Sequence, residues 1–224
     1  TFKLDETSKT ASLFKVSQNI RQLFIPRAIQ YESTEYLITS IIGTNSLIKT
    51  IKFSEDSAVK KIYSNAFSRS TIKEINFPAS LIELEEDWCC ETNDLTKITI
   101  SPLNSQFMIK DDKYLIGKTD PNNEEFDILL FACRDIQEIS IPSNIKIISS
   151  YAFENCNNLR KVEIPPNSNL QIIGPHAFTD SNIESIFIPS TVSIICTEAF
   201  VRCYNMKKIE ILPDSNLQKI EKFA

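Results

Sequence analysis

One stretch of the sequence decides the fold, and it reads Ile173-Gly-Pro-His-Ala177-Phe178-Thr-Asp-Ser181-Asn-Ile183-Glu-Ser-Ile186-Phe-Ile188-Pro189. Segments 62–78, 148–165 and 195–211 carry the same pattern, and a degenerate copy, in which Trp88-Cys89 replaces Ala-Phe, occupies 84–100. The first isoleucine of the unit recurs at intervals of 25, 22 and 25 residues, at Ile148, Ile173, Ile195 and Ile220. Self-similarity at a fixed period of this size indicates a repeat architecture.

Each unit has three parts. The first, Leu159-x-x-Val162-x-Ile164-Pro165, alternates apolar and polar residues, which predicts a strand with one buried face that the proline ends. The second, an apolar pair such as Val192-x-x-Ile195, predicts a short extended return. The third contains Ala177-Phe178 and has the length of one helical or 3₁₀ turn. Because so short a unit cannot bury its apolar side alone, we expect the units to stack as a solenoid.

The whole unit resembles the repeat of the BspA-like leucine-rich-repeat family, the surface-antigen type of bacteria and protozoan parasites. The matching features are the 22- to 25-residue spacing and the pattern xxAFxxCxxLxxIxIPxSVxxI over roughly residues 20 to 224, with departures at 85–94 and 103–135. The predicted class is α/β, mostly β by content. A leucine-rich-repeat solenoid of this kind has a parallel β-sheet on its concave face, with short returns and helical or 3₁₀ turns on the other side.

The sequence predicts one continuous domain. Residues 1–42 would form an N-terminal capping hairpin and a partial first repeat, because segments 2–4 and 11–16 alternate in polarity. Residues 43–224 would form the solenoid, with a hairpin insertion at about 108–132 that leaves the stack between two strands. Since Ile220-Glu-Lys-Phe-Ala224 opens another unit, we expect the chain to be truncated at its C-terminus.

Composition argues against several classes of function. With three glycines there is no Gly-rich phosphate loop, and with one histidine there are few ways to build a catalytic triad or a metal site. The formal net charge of −5 disfavours nucleic-acid binding, and no apolar run reaches the roughly 18 residues of a membrane span. We therefore predict no enzyme activity, no cofactor, no metal, no nucleic-acid partner and no membrane insertion by this segment.

Individual polar residues leave some alternatives open. His176 stands at a variable position of the repeat, where Tyr151 and Glu198 occur elsewhere, so we expect it to face solvent. The acidic loop 120–125 reads as a solvated hairpin tip, with a weak cation site as the alternative. An enzyme with its active site on the hairpin is a further hypothesis, although no set of converging titratable residues indicates one.

The polar positions of the strands form columns along the predicted concave face, since equivalent residues of adjacent parallel strands are neighbours. One column alternates acid and base and therefore predicts a charge ladder that keeps the sheet soluble. Phe187 is a large apolar residue among these polar positions, and it is either a lone exposed aromatic or a contact residue for a partner. The candidate partner-binding residues are Phe187, Glu163, Glu210, Lys161, Lys208, Glu138 and Lys97.

A long mixed-charge surface suits a protein partner better than a small molecule. The sequence thus predicts a non-catalytic protein–protein interaction module. The resemblance implies a microbial protein at the cell surface or outside the cell that mediates adhesion to host or neighbouring cells, with a host cell-surface or extracellular-matrix protein as its partner. The alternative is an intracellular, cytoplasmic scaffold or regulatory protein, which the absence of N-x-S/T glycosylation sites favours.

The six cysteines predict free thiols. Cys156 and Cys203 share one repeat position two units apart, about 10 Å at the spacing of adjacent strands, which is too far for a disulfide. Cys89 and Cys90 are adjacent and lack the C-x-x-C spacing of a metal or redox site. Thiol titration under denaturing, non-reducing conditions should find all six free; four or fewer, in protein protected from oxidation, would reject the argument.

Overall fold

The alternating segment of each repeat forms a short strand that buries its apolar side chains. In Ser185–Ile188, for example, Ile186 and Ile188 are buried while Ser185 is exposed. The computed structural model describes residues 1–16, 20–44 and 47–224. They divide into unit 1, Thr1–Asp112, and unit 2, Lys113–Ala224.

The strands are short throughout. Those of unit 1 are β1 (Phe2–Asp5), β2 (Thr10–Leu13), β3 (Gln22–Ile25), β4 (Ala28–Tyr31), β5 (Thr34–Ile41), β6 (Thr50–Phe53), β7 (Lys61–Ile62), β8 (Glu74–Phe77), β9 (Glu83–Leu84), β10 (Lys97–Ile100) and β11 (Phe107–Lys110). Those of unit 2 are β12 (Tyr114–Gly117), β13 (Ile128–Ala132), β14 (Glu138–Ser140), β15 (Ile147–Ile148), β16 (Lys161–Glu163), β17 (Ile172–Ile173), β18 (Ser185–Ile188), β19 (Ile194–Ile195), β20 (Lys208–Ile211) and β21 (Lys219–Ile220).

The alternating strands pair in parallel, as predicted. In unit 1 their order is β3-β6-β8-β10, and in unit 2 it is β14-β16-β18-β20. The predicted register is confirmed within each ladder, where Glu74 lies opposite Lys97, Glu138 opposite Lys161, and Phe187 opposite Glu210. The sequence predicted a single run, whereas the structure has two four-stranded ladders, because residues 101–137 intervene with strands of their own.

The apolar pairs of the repeat form a second ladder in each unit, which confirms the predicted extended returns. In unit 1 the two-residue strands β7 and β9 continue in parallel from the end of the longer β5, in the order β5-β7-β9. In unit 2 the two-residue strands run in parallel as β15-β17-β19-β21. Gly174 follows β17 at a point of close approach, since a Cβ there would lie 2.7 Å from the carbonyl oxygen of Ile148. We call one repeat of the solenoid a rung. Each rung is therefore hydrogen-bonded to its neighbours through short parallel strands on two of its sides.

The predicted helical or 3₁₀ turn on the third side is wrong, and so is the α/β class: within the described residues every regular element is a strand. The segment around Ala-Phe is a chain of turns in which non-glycine residues with positive φ recur four positions apart. Tyr151 and Asn155 have φ of 58° and 54°, and His176 and Asp180 have 54° and 56°. A right-handed helix cannot contain such left-handed residues, so the short length of the segment misled the prediction.

Hydrogen bonds between rungs explain the unusual backbone. The N–H groups of Tyr151, Phe153 and Asn155 donate to the next rung, over 3.2, 2.7 and 2.9 Å, whereas the intervening N–H groups close local turns. A helix would direct every N–H along its own axis and leave the next rung without donors. The left-handed residues thus let alternate amides reach the neighbouring rung.

Aromatic rings stack along the interior of unit 2. The ring centroids of Phe153 and Phe178 are 4.8 Å apart and those of Phe178 and Phe200 are 5.2 Å apart, with nearly parallel planes. This predicted inward stack is confirmed. In the second predicted stack Ile164 and Ile188 are buried, but Ile211 is 40% exposed. The prediction is wrong for Ile211 because β20 has a strand neighbour on one side only.

Antiparallel pairs occur where the sequence suggested hairpins. β1 pairs with β2 in unit 1, and β12 pairs with β13 in unit 2. The second pair does not simply leave the stack as expected, since β13 also pairs in parallel with β15 and extends the second ladder. Leu129 and Phe131 on β13 are fully buried, so this strand supplies core. The capping role of the first pair and the single continuous domain stay predictions.

Asp127 anchors the base of the β12–β13 hairpin. Its buried carboxylate accepts hydrogen bonds from the N–H and hydroxyl of Thr119, both at 2.8 Å, and from Lys146 Nζ at 3.0 Å. Burial acts to raise the pKa of Asp127, but these hydrogen bonds outweigh it and hold the pKa below its usual value. The hairpin is therefore tied to the lysine beside β15.

Arg134 occupies the turn side of the stack ahead of the 151–156 turn. Its guanidinium donates to the carbonyl oxygens of Ala152 and Tyr151 at 3.1 and 3.3 Å and lies over the Phe131 ring. Glu154 is buried beside it, with an oxygen 4.0 Å from Nη2. The Ala152 carbonyl therefore accepts from Arg134 and also from the Ala132 N–H, which donates at 2.8 Å.

Truncation of the central ring tests the aromatic stack. Phe178→Ala should lower the free energy of unfolding by about 3–5 kcal/mol, because the cavity opens between two stacked rings. Chemical denaturation measures the change. Tyr204→Ala is the matched control, since Tyr204 is 84% exposed and its loss should cost less than about 0.5 kcal/mol. A loss below about 1 kcal/mol for Phe178→Ala would show that this residue is not core.

Asp127→Asn tests the hairpin anchor. At pH 7 it should lower the free energy of unfolding by about 2 kcal/mol, because Lys146 and Thr119 lose a charged acceptor. Since the pKa of Asp127 is lowered by folding, its stabilisation is present above the unfolded pKa of about 4 and is lost as the pH falls through the folded pKa. Urea unfolding at pH 7 and pH 3 should therefore show a smaller difference at the lower pH.

The matched control for this experiment is Asp120→Asn, at the exposed hairpin tip, where the carboxylate bonds only to nearby Asn122 among the described residues. Its effect on unfolding should be within about 0.5 kcal/mol at either pH. A destabilisation by Asp127→Asn that is equal at both pH values would contradict an ionised anchor.

Candidate partner-binding surface

Three positions of each rung point outward from the first ladder. These positions are the residue immediately before the strand, the first residue of the strand and the third residue of the strand. We call the residues at these positions in all four strands of a unit the front face of that unit. In unit 2 the front face consists of Gln137, Glu138, Ser140, Arg160, Lys161, Glu163, Glu184, Ser185, Phe187, Lys207, Lys208 and Glu210. All of them are at least partly exposed. Alternation places the first and third strand residues on one face, and the residue before the strand is exposed where the chain enters the strand.

A shallow, open depression of about 550 Å³ lies on this face. Five of the seven predicted residues line it, namely Lys161, Glu163, Phe187, Lys208 and Glu210. Phe187 lies on the central strand β18, and small Ser185 lies between Lys161 and Lys208 in the register. The depression exists because a serine and a half-buried ring stand where the flanking strands carry long charged side chains.

The other two predicted residues lie elsewhere. Glu138 is on β14, opposite Lys161, at the edge of the same ladder. Lys97 is on β10 of unit 1, where its Nζ lies 3.0 Å from Glu74 Oε1 across the strands. This ion pair joins adjacent strands, as the predicted charge ladder requires.

At the first and third strand positions of β16 and β20 in unit 2, the ion pairs run along the strands instead. Lys161 pairs with Glu163 on its own strand, and Lys208 Nζ lies 2.7 Å from Glu210 Oε2. The hydrogen bond and charge of Glu163 raise the pKa of Lys161, and Glu138 adds only a smaller effect. Glu138 is the cross-strand neighbour of Lys161 as predicted, but it does not lie between Lys97 and Lys161, because β10 and β14 belong to different sheets. Glu163 takes up the ammonium group of Lys161, since residues two apart on one strand face the same side.

Sequence reasoning missed the outer row of this face. Arg160, Glu184 and Lys207 occupy adjacent rungs, with Arg160 Nη1 3.4 Å and Lys207 Nζ 2.7 Å from Glu184. Lys207, and to a smaller extent Arg160, lower the pKa of Glu184. The sequence could have identified this row, because each of its residues directly follows the first apolar residue of the alternating segment, as Arg160 follows Leu159. The front face of unit 2 therefore holds four cations and four carboxylates.

The sequence analysis also missed an aromatic residue in unit 1. Phe24, the third residue of β3, lies opposite Lys52 of β6 and is 61% exposed. It holds the same place in its strand as Phe187 holds in β18. The alternation of Leu23-Phe24-Ile25 could have identified it, had the columns been extended to the first partial unit.

The side chains of His176 and of the cysteines Cys156 and Cys203 contact neighbouring residues of the stack. His176 is partly buried rather than simply solvent-facing: its ring stacks on Tyr151 at 4.8 Å, and Nδ1 lies 3.6 Å from Glu198. The Cys203 thiol contacts Ser181 and the Phe178 carbonyl, and burial raises the pKa of both Cys203 and Cys156. Over the part of the chain that the structure describes, no group of three His, Cys, Asp or Glu side chains could hold a metal ion.

Comparison with protein families is decisive for the repeat. The model of the BspA type leucine rich repeat region matches residues 10–110 and 126–224, in six copies. The chain belongs to the BspA-type leucine-rich-repeat family. The unmatched residues 111–125 contain strand β12 and the hairpin tip, whereas 85–94, which departs from the pattern in sequence, lies inside the match.

Solved structures relate this BspA-type chain to other leucine-rich-repeat proteins. One from Eubacterium ventriosum is 17% identical with a TM-score of 0.63, covering 96% of this chain and 74% of that one. The pneumococcal vaccine antigen PcpA is 13% identical with a TM-score of 0.47, covering 96% and 82%. A leucine-rich-repeat protein of T. pallidum is 14% identical with a TM-score of 0.46, covering 99% and 80%. The likeness to the first concerns the fold.

No curated protein matches the chain. Across the described residues, no helix has the length and apolar character needed to cross a membrane. Repeats of the BspA type are typically modules for protein interaction. The front faces of the two units are therefore the surfaces of interest.

Proposed function

We propose that this BspA-type protein is a non-catalytic module that binds a protein partner through the front face of unit 2. The observation that carries the proposal is the depression around Phe187, which gathers one aromatic side chain and two lysine–glutamate pairs on one ladder. An aromatic anchor within a polar rim is the arrangement of a binding hot spot. Glu138 adds charge at the edge of this face, and we include Lys97 only as a candidate on unit 1.

The chemistry of the depression supports binding over catalysis. Its charged groups are taken up in ion pairs along β16 and β20, and they do not converge on one point where a substrate atom could sit. A shallow open surface also fits a protein better than a small molecule, which usually occupies an enclosed pocket.

We further propose that the protein acts at the cell surface in adhesion, with a host cell-surface or extracellular-matrix protein as its partner. The family membership supports this proposal, since its repeats are typical of interaction modules. An intracellular scaffold is the alternative. Antibody labelling of intact and permeabilised cells separates the two: signal from intact cells is expected, and signal only after permeabilisation would contradict adhesion.

Binding kinetics test the contact surface. Immobilised extracellular matrix from cultured cells should bind the protein, and Lys161→Glu with Lys208→Glu should slow association and change its salt dependence. Phe187→Ala should instead raise the dissociation rate by about tenfold or more, because an anchor is lost.

Two exposed lysines off the front face of unit 2 provide the matched control. Lys113→Glu with Lys222→Glu changes the net charge equally and should leave both rates unchanged. Unchanged binding in the front-face variants, or equal loss in the control, would move the partner site away from Phe187.

A further inference from the structure

The front face of unit 1 differs in charge from that of unit 2. Its twelve residues are Arg21, Gln22, Phe24, Lys49, Thr50, Lys52, Lys73, Glu74, Asn76, Thr96, Lys97 and Thr99. Five are cations and one is a carboxylate, whereas the equivalent face of unit 2 is balanced. The imbalance is notable in a chain of net charge −5, whose average surface is acidic.

Few of these cations have a partner. Lys97 pairs with Glu74, and Lys49 Nζ lies 3.7 Å from Asp94 Oδ2. Among residues 1–16, 20–44 and 47–224, no carboxylate lies within ion-pair distance of Arg21, Lys52 or Lys73. Three positive charges therefore stand on this face without neutralisation.

The cations are also stacked. Lys49 N–H donates to the Arg21 carbonyl at 2.7 Å, and Lys73 N–H donates to the Lys49 carbonyl at 2.8 Å, so the three residues hold one position on adjacent rungs. Rungs of a parallel ladder are about 4.8 Å apart, and like charges on such neighbours repel each other. In unit 2 the equivalent row is Arg160–Glu184–Lys207, where a carboxylate separates the cations. The row of unit 1 weakens the fold slightly, and a bound anion would reverse that effect.

Apolar side chains accompany the cations. Leu47, which is half exposed, lines a depression of about 480 Å³ with Arg21, Lys49 and Thr71. Phe24, the third residue of β3, is exposed on the same front face and lies opposite Lys52 of β6. A partner on this face would meet a cationic row with an apolar contact on either side.

We propose that the front face of unit 1 binds an acidic segment of a partner protein, which places carboxylates on the row Arg21–Lys49–Lys73 and an apolar side chain against Phe24. The exposed apolar residues favour a polypeptide over a polyanionic polysaccharide, which would use the charges and leave Leu47 and Phe24 in water. This site is separate from the Phe187 depression, and it goes beyond the function proposed above.

Fluorescence anisotropy with a labelled peptide tests the site. The probe is a peptide of about twelve residues that alternates Glu and Ser around a central Leu, and a version with Gln in place of Glu is its control. The acidic peptide should bind at low salt, weaken as salt rises, and bind Arg21→Glu with Lys73→Glu about tenfold or more weakly. Phe24→Ala should raise the dissociation rate.

Lys3→Glu with Lys60→Glu makes the same change of charge in unit 1 away from the front face, and it should bind the peptide as the parent protein does. Circular dichroism and thermal unfolding establish that each variant is folded. If the Glu substitutions disturb the fold, Arg21→Gln with Lys73→Gln removes the charges without reversing them and should still weaken binding.

Several results would overturn the proposal. The first is that the Lys3/Lys60 variant binds the acidic peptide as weakly as the Arg21/Lys73 variant does. The second is that the Gln peptide binds as well as the acidic peptide, and the third is that the acidic peptide does not bind at low salt. Binding of a sulfated polysaccharide, heparin, with no binding of the peptide would assign the face to glycans instead. Variants of Phe187, Lys161 and Lys208 should leave peptide binding unchanged, so a failure here is distinguishable from a failure of the proposed adhesion site.

Discussion

Backbone hydrogen bonds between successive rungs are the interaction on which the rest of the structure depends. On two sides of each rung they are the bonds of parallel strands, and on the third side they come from alternate amides of the Ala-Phe turn. The third set requires left-handed residues such as Tyr151 and Asp180, which cost free energy at a non-glycine position. Bonds on all three sides fix the spacing between rungs, and that spacing sets which side chains become neighbours.

A fixed spacing makes every position of the repeat interact with its own equivalents. Inside unit 2 this constraint stacks Phe178 between Phe153 and Phe200 with nearly parallel rings. On the surface it brings charges of adjacent rungs together, so each row must balance its charges or tolerate repulsion. The row Arg160–Glu184–Lys207 is balanced, whereas Arg21–Lys49–Lys73 is not. Two faces built on the same backbone are therefore different as binding surfaces.

Where the β12–β13 hairpin joins the stack, buried charged side chains add hydrogen bonds to those of the backbone. Arg134 donates to carbonyl oxygens of the 151–156 turn, and Asp127 accepts from Thr119 and Lys146 at the base of the hairpin. Both are buried, and a buried charge is tolerated only when hydrogen bonds and an opposite charge surround it. These two residues stabilise the region where strand β13 joins the second ladder.

The sequence by itself determined the period, the alternating strands and the extended returns, their register within each ladder and the inward aromatic stack, because burial alternates with chain position and repeats at equal intervals. It also indicated Phe187, since a large apolar residue at an outward position is visible in the alternation. Three features were decided only by the tertiary structure. The turn conformation depends on amides reaching the next rung, so the short segment around Ala-Phe looked helical. The pairing of Lys161 with Glu163 over Glu138 depends on competition between nearby carboxylates in three dimensions. The parallel pairing of β13 with β15 depends on how the hairpin packs against the stack, and the local hairpin pattern in the sequence does not record that packing.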